Sequence, residues 1–456
     1  MVPSADSLRH EVRHLVITAL PIVATQLGAM MLGVVDTVMV GRLGVDAIGA
    51  AALGNVWVMG TLIAGMGLVA GIDPIISQAH GARDGARCGI GLQQGLAMAC
   101  WSSIPIAGLW LLTEPILVAF GQDPALARAA SHYTLVQLPG LPAFLGFVAL
   151  RSYLSNRQIF WPAVAVVIVA NLINVALNQL LIFGAGPIPA AGVTGAGLAT
   201  GLTRLSLLLM LVLWVRRFQL HRGAWNGWSK AAWSRERLQE TWRLGWPVGL
   251  YLGLEIWAFQ FTTLLAGWLG NSSLAASTIV LNLASLSFML PLGVAVAAAA
   301  RVGNLIGARQ PDAAQRASWV AFGLGASAMS ICAILFVALR QFLPGCYTSD
   351  AAVIELAART LPVVGAFQLF DGVQVVGCAV LRGMGRTRPA AVMNLIGYYM
   401  LGLPLAWWLA FRRGWGLVGL WLGLAVALMV IAILLVTWVA KRGPKTMRQP
   451  LFAGSD

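Results

Sequence analysis

Charge is what this 456-residue chain has least of: Asp, Glu, Lys and Arg together make up 10% of it, and only sixteen residues are acidic. A soluble fold needs more polar surface than that to cover its core, so a water-soluble globule is excluded and most of the chain is solvated by lipid. Cysteine is scarce as well. Cys88, Cys100, Cys332, Cys346 and Cys378 are odd in number and scattered, with no CxxC pair, which indicates neither a disulfide framework nor a zinc site and makes them packing residues. No GxxxxGK[ST] phosphate loop or GxSxG elbow occurs, so direct use of ATP and hydrolytic chemistry are not expected. The first 14 residues carry Arg9, Glu11 and Arg13 and lead into an apolar segment with no small-residue cleavage pattern, which reads as an uncleaved first span rather than a signal peptide.

What is present is apolar. Hydrophobic residues make up 59% of the chain, and the mean hydropathy is +0.81. Runs such as Leu15 to Val40 and Trp161 to Gly184 exceed the roughly 20 residues that a spanning helix needs and lack period-two alternation, so helices are expected rather than a closed barrel. Twelve spans are predicted, near 15–41, 47–79, 89–112, 131–155, 161–184, 191–215, 244–269, 273–304, 317–339, 355–381, 389–411 and 415–440. The net charge of +14 sorts by loop: one side holds only Arg42, Arg128, Arg340, Arg359, Arg412 and Arg413, and nearly all other basic residues lie on the opposite side. The positive-inside bias then places both termini in the cytoplasm, in a multi-pass protein of the cell inner membrane. The charge is a topology signal and not a nucleic-acid surface.

The chain repeats itself at an offset of 226. Pro21 matches Pro247; Gly41, Leu43 and Gly44 match Gly267, Leu269 and Gly270; Gly67 matches Gly293; and Gly81-Ala82-Arg83 matches Gly307-Ala308-Arg309. Two related six-helix lobes are expected, 1–215 and 244–440, joined by a basic cytoplasmic linker at 216–243 and followed by a cytoplasmic tail at 441–456. Trp225, Trp228, Trp233 and Trp242 interleave with cations in the linker, which is read either as an amphipathic segment in the headgroup layer or as a solvated, flexible tether. Prolines inside spans, at Pro21, Pro139, Pro142, Pro291, Pro362 and Pro404, suggest bent helices around a cavity.

Four acids fall well inside spans: Asp36, Asp73, Glu255 and Asp371. An ionised carboxylate at bilayer depth costs at least about 2.5–3.5 kcal/mol, so each must be paired, hydrated or neutralised. Burial and a nearby like charge both favour the neutral form, which suits a carrier of protons or of a small cation in their place. Asp371 lies 11 residues before Arg382, about 16 Å along a helix and hence near the bilayer centre. Gln368, Asp371 and Gln374 recur every three residues with Phe367 one turn before, so they share one broad face. Glu255 has Tyr251 and Phe259 one turn to either side, an arrangement that suits a lipophilic cation through charge and ring quadrupole together. Asp73 is nearer a span end and reads as structural. Asn171, Asn174 and Asn178 form one stripe that would either glue spans or line a wet cavity, and Arg204, the one deep basic residue, is expected to pair with a carboxylate or carbonyls. Asp36 maps to Thr262, Glu255 to Ala29 and Asp371 to Leu145, so the scaffold is duplicated and the acids are not.

The run from Pro21 through Met-Leu-Gly-Val-Val-Asp36-Thr-Val-Met-Val-Gly-Arg-Leu-Gly, the segment Ile-Ser-Gln-Ala-His-Gly81-Ala-Arg, and Phe370-Asp371-Gly-Val-Gln-Val-Val with the following Leu-Arg382-Gly-Met-Gly-Arg-Thr-Arg-Pro389 resemble the multidrug and toxic compound extrusion (MATE) transporters. Glu255 places the chain nearer the NorM-like branch than the DinF-like one. The resemblance implies an all-α integral membrane protein with two pseudo-symmetric six-helix bundles in a V shape, exporting organic cations in exchange for H+ or Na+. By the same resemblance Asp36, Glu255 and Asp371 match acids of coupling and substrate binding, and Asn174 and Asn178 match polar residues of the amino-terminal lobe. Phe367 stands where NorM-like proteins often carry tyrosine, which removes a hydroxyl from a Na+ site at Glu255 and Asp371. With Tyr251, Phe259, Phe367 and Gln374 around these acids, the expected protein is a monomeric ion-coupled antiporter for small organic cations, in the lipid bilayer, with no cofactor beyond the ion. Two rivals are a flippase for a lipid-linked precursor, which would favour a cationic cavity, and an intramembrane enzyme, which would need a nucleophile and base or a metal cluster at depth.

Overall fold

The structure is a computed structural model that describes residues 5–225 and 227–447. Its elements are helices, and among the described residues the only β pairing is one isolated bridge between Ala185 and Ile188. The first half of the chain forms α1 (Ala5–Val40), α2 (Val45–Val69), α3 (Asp73–Gly81), α4 (Gly85–Leu111), α5 (Thr113–Ala119), α6 (Pro124–Leu135), α7 (Gly140–Asn156), α8 (Trp161–Phe183) and α9 (Gly192–Arg217). The second half forms α10 (Arg235–Trp268), α11 (Asn271–Gly307), α12 (Pro311–Ala338), α13 (Phe342–Gly345), α14 (Ala351–Gly383), α15 (Thr387–Leu395), α16 (Leu403–Trp407) and α17 (Gly416–Arg442). Ten of the helical stretches are long and apolar enough to cross a bilayer, and two bent pairs, α4 with α5 and α6 with α7, bring the number up to twelve. Residues 448–456 of the expected tail lie outside the described residues.

Proline chemistry explains where spans break. A proline cannot donate to the carbonyl four residues earlier and its ring crowds that carbonyl. The fourth residue before Pro115 is Leu111, where α4 ends and the chain turns by 57°; the fourth before Pro139 is Leu135, where α6 ends before a 54° bend. Before Pro404 the helix loosens instead into a π-helical stretch, Ile396–Gly402, with a second at Trp408–Arg412. Pro21, Pro247, Pro291 and Pro362 lie within unbroken helices.

The repeat extends to single backbone angles. Gly44 and its partner Gly270 hold φ near 115° and 109°, a region glycine alone enters easily, and each precedes a long helix. Arg83 and Arg309 both take left-handed conformations, φ 61° and 57°, and the turns close through equivalent bonds, Asp84 N to Ala79 O and Gln310 N to Leu305 O, each 2.9 Å.

The chain packs as two compact units, and they do not part at the linker. One comprises Ala24–His80 and Asp84–Gly249; the other comprises the segment up to Val23, Gly81–Arg83 and the chain from Leu250 onward. The divisions therefore fall inside α1 and α10, two residues beyond Pro21 and Pro247, and not at 216–243. Glycine contacts give the reason. In the amino-terminal unit, α2 and the first half of α10 cross so closely that a Cβ on Gly67 would stand 2.1 Å from Gly249 Cα, and one on Gly245 2.3 Å from the Leu68 carbonyl oxygen. In the carboxy-terminal unit, Gly293, the repeat partner of Gly67, admits the first half of α1 just as tightly: its Cβ would stand 2.3 Å from Val23 Cγ2. Arg301 fixes the same helix through Glu11.

The linker is not a free tether, and its last residues, from Arg235, are the first turns of α10. Gln93 on α4 donates to Gly227 O at 2.8 Å and accepts from Ser229 N at 2.9 Å, Tyr153 OH reaches Ala224 O, and Arg157 reaches Leu220 O at 2.6 Å. Ala224 and Ala232 are buried, while Trp228, Trp233 and Trp242 remain exposed. The linker is thus strapped to the amino-terminal unit through its backbone carbonyls.

Candidate functional site

In the carboxy-terminal unit, α14 packs against α11, α12 and α17, and 72% of its apolar window is buried, against 50% or less in the other single spans. The three-residue spacing of Gln368, Asp371 and Gln374 therefore faces protein, and all three are buried. Gln368 donates to Ser287 Oγ on α11 at 2.5 Å. Gln374 donates to Glu255 Oε2 on α10 at 3.2 Å and to Asn394 Oδ1 on α15 at 2.8 Å, while Asn394 donates back to the Ala390 carbonyl and to Cys378 Sγ. One amide thus orients the glutamate and ties three helices together. Glu255 acts on Asp371 through space, and the Asp371 Oδ1 atom is buried with no hydrogen-bond partner, as are Gln374 Oε1, Gln368 Oε1 and the Tyr398 hydroxyl. Acceptor oxygens concentrated around two like-charged groups are the donor set of a small hard cation or a shared proton.

An aromatic cluster adjoins these acids. Phe259 stands 5.8 Å from Phe367 and 6.4 Å from Tyr398, both nearly edge-on, and Phe367 stands 5.6 Å from Trp421 of α17. In edge-to-face pairs of this kind the positive edge of one ring lies on the electron-rich face of the next, and Phe367, Tyr398 and Trp421 are buried while Phe259 is only half-buried. Tyr251 is buried, and its hydroxyl accepts from Arg382 Nη1 at 3.4 Å.

In the amino-terminal unit, Asp36 accepts from Asn178 Nδ2 at 2.5 Å and from Thr200 Oγ1 at 2.6 Å. Asn178 also donates to Asn174 Oδ1 at 3.1 Å, and Asn174 donates to Thr203 Oγ1 at 3.4 Å. The expected asparagine stripe divides: Asn174 and Asn178 serve this cluster, whereas Asn171 bonds the Gly28 and Val167 carbonyls as a tie between helices. Asp73 is held by Ser152 and Asn156, as its structural reading requires.

Arg204 departs from expectation. Among the described residues it forms no ion pair, one of its terminal nitrogens has no partner, and its guanidinium lies over the Phe144 ring at 5.2 Å, with the Asp36 carboxylate acting on it through space. Among the described residues the ion pairs are Arg87 with Glu240, Arg128 with Glu114, Arg301 with Glu11 and Arg359 with Glu355, so Asp36, Glu255 and Asp371 are not locked to bases. A second departure concerns hydrolytic motifs. His10-Glu11-Val12-Arg13-His14 carries the HExxH spacing, which corrects the reading that hydrolytic motifs, HExxH among them, are absent. Glu11 is engaged by two Arg301 nitrogens at 2.5 and 3.1 Å, and no three metal-binding side chains gather among the described residues.

Sequence reasoning missed Asn394, Tyr398, Ser287 and Trp421 in one cluster and Thr200 and Thr203 in the other. The four-residue spacing of Asn394 and Tyr398 in an apolar span was the available signal. Tyr398 also brings a hydroxyl into the cluster where Phe367 brings none.

The comparisons with known proteins bear on the family and the fold. The MatE family model matches residues 21–180 and again 247–408, two starts separated by the repeat offset. The multidrug resistance protein NorM of Burkholderia vietnamiensis is 34% identical over 93% of this chain and 93% of its own length. Multidrug and toxin extrusion protein 1 of Oryctolagus cuniculus is 32% identical over 96% of this chain and 76% of its own. The crystal structure of the eukaryotic MATE transporter AtDTX14 superposes with a TM-score of 0.89 at 25% identity, covering 96% of this chain and 97% of that one. With both halves matched and relatives above 30% identity along nearly its whole length, the chain belongs to the MATE family of multidrug and toxic compound extrusion transporters.

Proposed function

We propose that the chain exports lipophilic organic cations in exchange for protons or sodium ions moving inward, with Glu255 and Asp371 as the exchange pair. Efflux of drugs and toxins is the activity named in its relatives, and the observation that carries the site assignment is that two buried carboxylates, neither in an ion pair among the described residues, lie beside Gln374 and buried oxygens that have no hydrogen-bond partner. An ionised pair attracts a cationic drug against the Phe259 and Phe367 rings. Arrival of the coupling ion neutralises the pair and removes that attraction. Exchange of one inward ion for one outward monovalent drug cation moves no net charge, so the ion's concentration gradient drives it: each tenfold ion gradient, about 1.4 kcal/mol, sustains a tenfold drug gradient. Asp36, held by Asn178 and Thr200, is a further ionisable group for the same cycle in the amino-terminal unit. The membrane acids outnumber the one deep arginine, which disfavours a phosphate-bearing flippase substrate, and the protein is a transporter and not an enzyme. The basic loops support cytoplasmic termini in the cell inner membrane, and we take the working unit to be a monomer.

Asp371→Asn keeps the volume and removes the charge. Cells carrying it should be as drug-sensitive as cells without the protein, with equal amounts of protein in the membrane. Undiminished resistance would overturn the assignment.

A further inference from the structure

Within the carboxy-terminal unit, a groove of about 540 Å³ runs along the first turns of α1 and the first half of α12. Its walls are apolar, with Val12 on one side and Val320 and Leu324 on the other, and Gly323 leaves room inside it, since a Cβ there would meet nothing within 4 Å. Arg316 lines the same groove, one turn closer to the helix start than Val320 and about 7.5 Å into α12. Its Nε is buried and has no hydrogen-bond partner. That N–H is closed off from the groove, but Arg316 forms no ion pair among the described residues, which leaves its terminal guanidinium nitrogens for an anionic oxygen. The carboxylate of Glu11 is committed to Arg301, and Asp312, one turn from Arg316, forms no ion pair among the described residues. A second hollow of about 570 Å³ shares Leu8 and Val12 with the first and adds Arg9 and Arg13, both exposed.

An apolar channel that ends at guanidinium groups, at the end of the helices where the basic loops lie, matches one chemistry: an acyl chain joined to a phosphate. We propose that an anionic phospholipid seats in this groove, its phosphate on Arg316 and an acyl chain along Val12, Val320 and Leu324. Arg9 and Arg13 supply the preference for a headgroup without its own cation. A zwitterionic lipid would bring an ammonium against them.

The test is native mass spectrometry of the full chain, purified in detergent with equal amounts of phosphatidylglycerol and phosphatidylcholine. Wild type should retain phosphatidylglycerol over phosphatidylcholine by about fivefold or more, the preference given by a single basic group at a membrane surface. The triple variant Arg9→Gln/Arg13→Gln/Arg316→Gln should bring that ratio close to one. Gly323→Phe, which fills the groove without altering charge, should lower retention of both lipids, with folding checked by an unchanged size-exclusion profile. Equal retention of the two lipids by wild type would overturn the proposal, as would wild-type retention in both variants. Displacement of phosphatidylglycerol by inorganic phosphate would remove the acyl chain from it.

Discussion

Gln374 is the side chain whose loss should disturb the acidic cluster without touching a charge. Gln374→Leu keeps most of the volume and deletes the bonds to Glu255 and Asn394. Leaving buried polar partners unmade costs about 1–3 kcal/mol, so the variant should melt several degrees lower in detergent; an unchanged melting temperature would mean the amide does not hold Glu255. Thr200 permits the matching test beside Asp36: Thr200→Ser retains the hydroxyl and should transport normally, whereas Thr200→Val, nearly isosteric, should transport more slowly and melt lower. At this scale the acids were legible because a carboxylate in an apolar run is costly and therefore conspicuous. Their partners were not, because Asn394, Tyr398 and Thr200 are unremarkable one by one and acquire meaning only when other helices bring an acid to them. Arg204 shows the same limit, since a ring on a neighbouring helix took the place of the expected carboxylate.

Glycines decide how the elements cross. A methyl on Gly67 meets backbone, Gly249 Cα at 2.1 Å, so Gly67→Ala should sharply reduce folded protein, and no side-chain truncation should rescue it. A methyl on Gly293 meets chiefly the Val23 side chain, so Gly293→Ala should be partly rescued by Val23→Ala; fluorescence-detected size exclusion of the single and double variants separates the two cases. The linker makes a further prediction. Gln93→Leu removes both bonds to the 227–229 backbone and should expose the trypsin sites at Arg222, Lys230 and Arg235 to faster cleavage than in wild type. Spans and their order were legible from hydropathy alone. The strapping of the linker was not, because it depends on backbone carbonyls that carry no sequence signature, and neither was the passage of α1 and α10 between units, which rests on glycine contacts between remote segments.

For the whole molecule, the 226-residue repeat proved the most informative feature, and the structure extends it to matching turns with left-handed angles at Arg83 and Arg309. The duplication also isolates the chemistry. Leu145, opposite Asp371 in the repeat, is fully buried in the hydrophobic core, and Thr262, opposite Asp36, bonds its own helix at Ala258 O. Each unit therefore has its own buried acids on a common frame, and the proposed exchange would depend on neutralising carboxylates that form no ion pair among the described residues. The most direct measurement is accumulation of a fluorescent organic cation in proteoliposomes under an imposed ion gradient, with the pH and sodium gradients collapsed in turn. Accumulation should stop when the coupling gradient is removed, and the Glu255→Gln/Asp371→Asn double variant should show none under either. Accumulation that survives the loss of both gradients, or that persists in the double variant, would contradict exchange at these carboxylates.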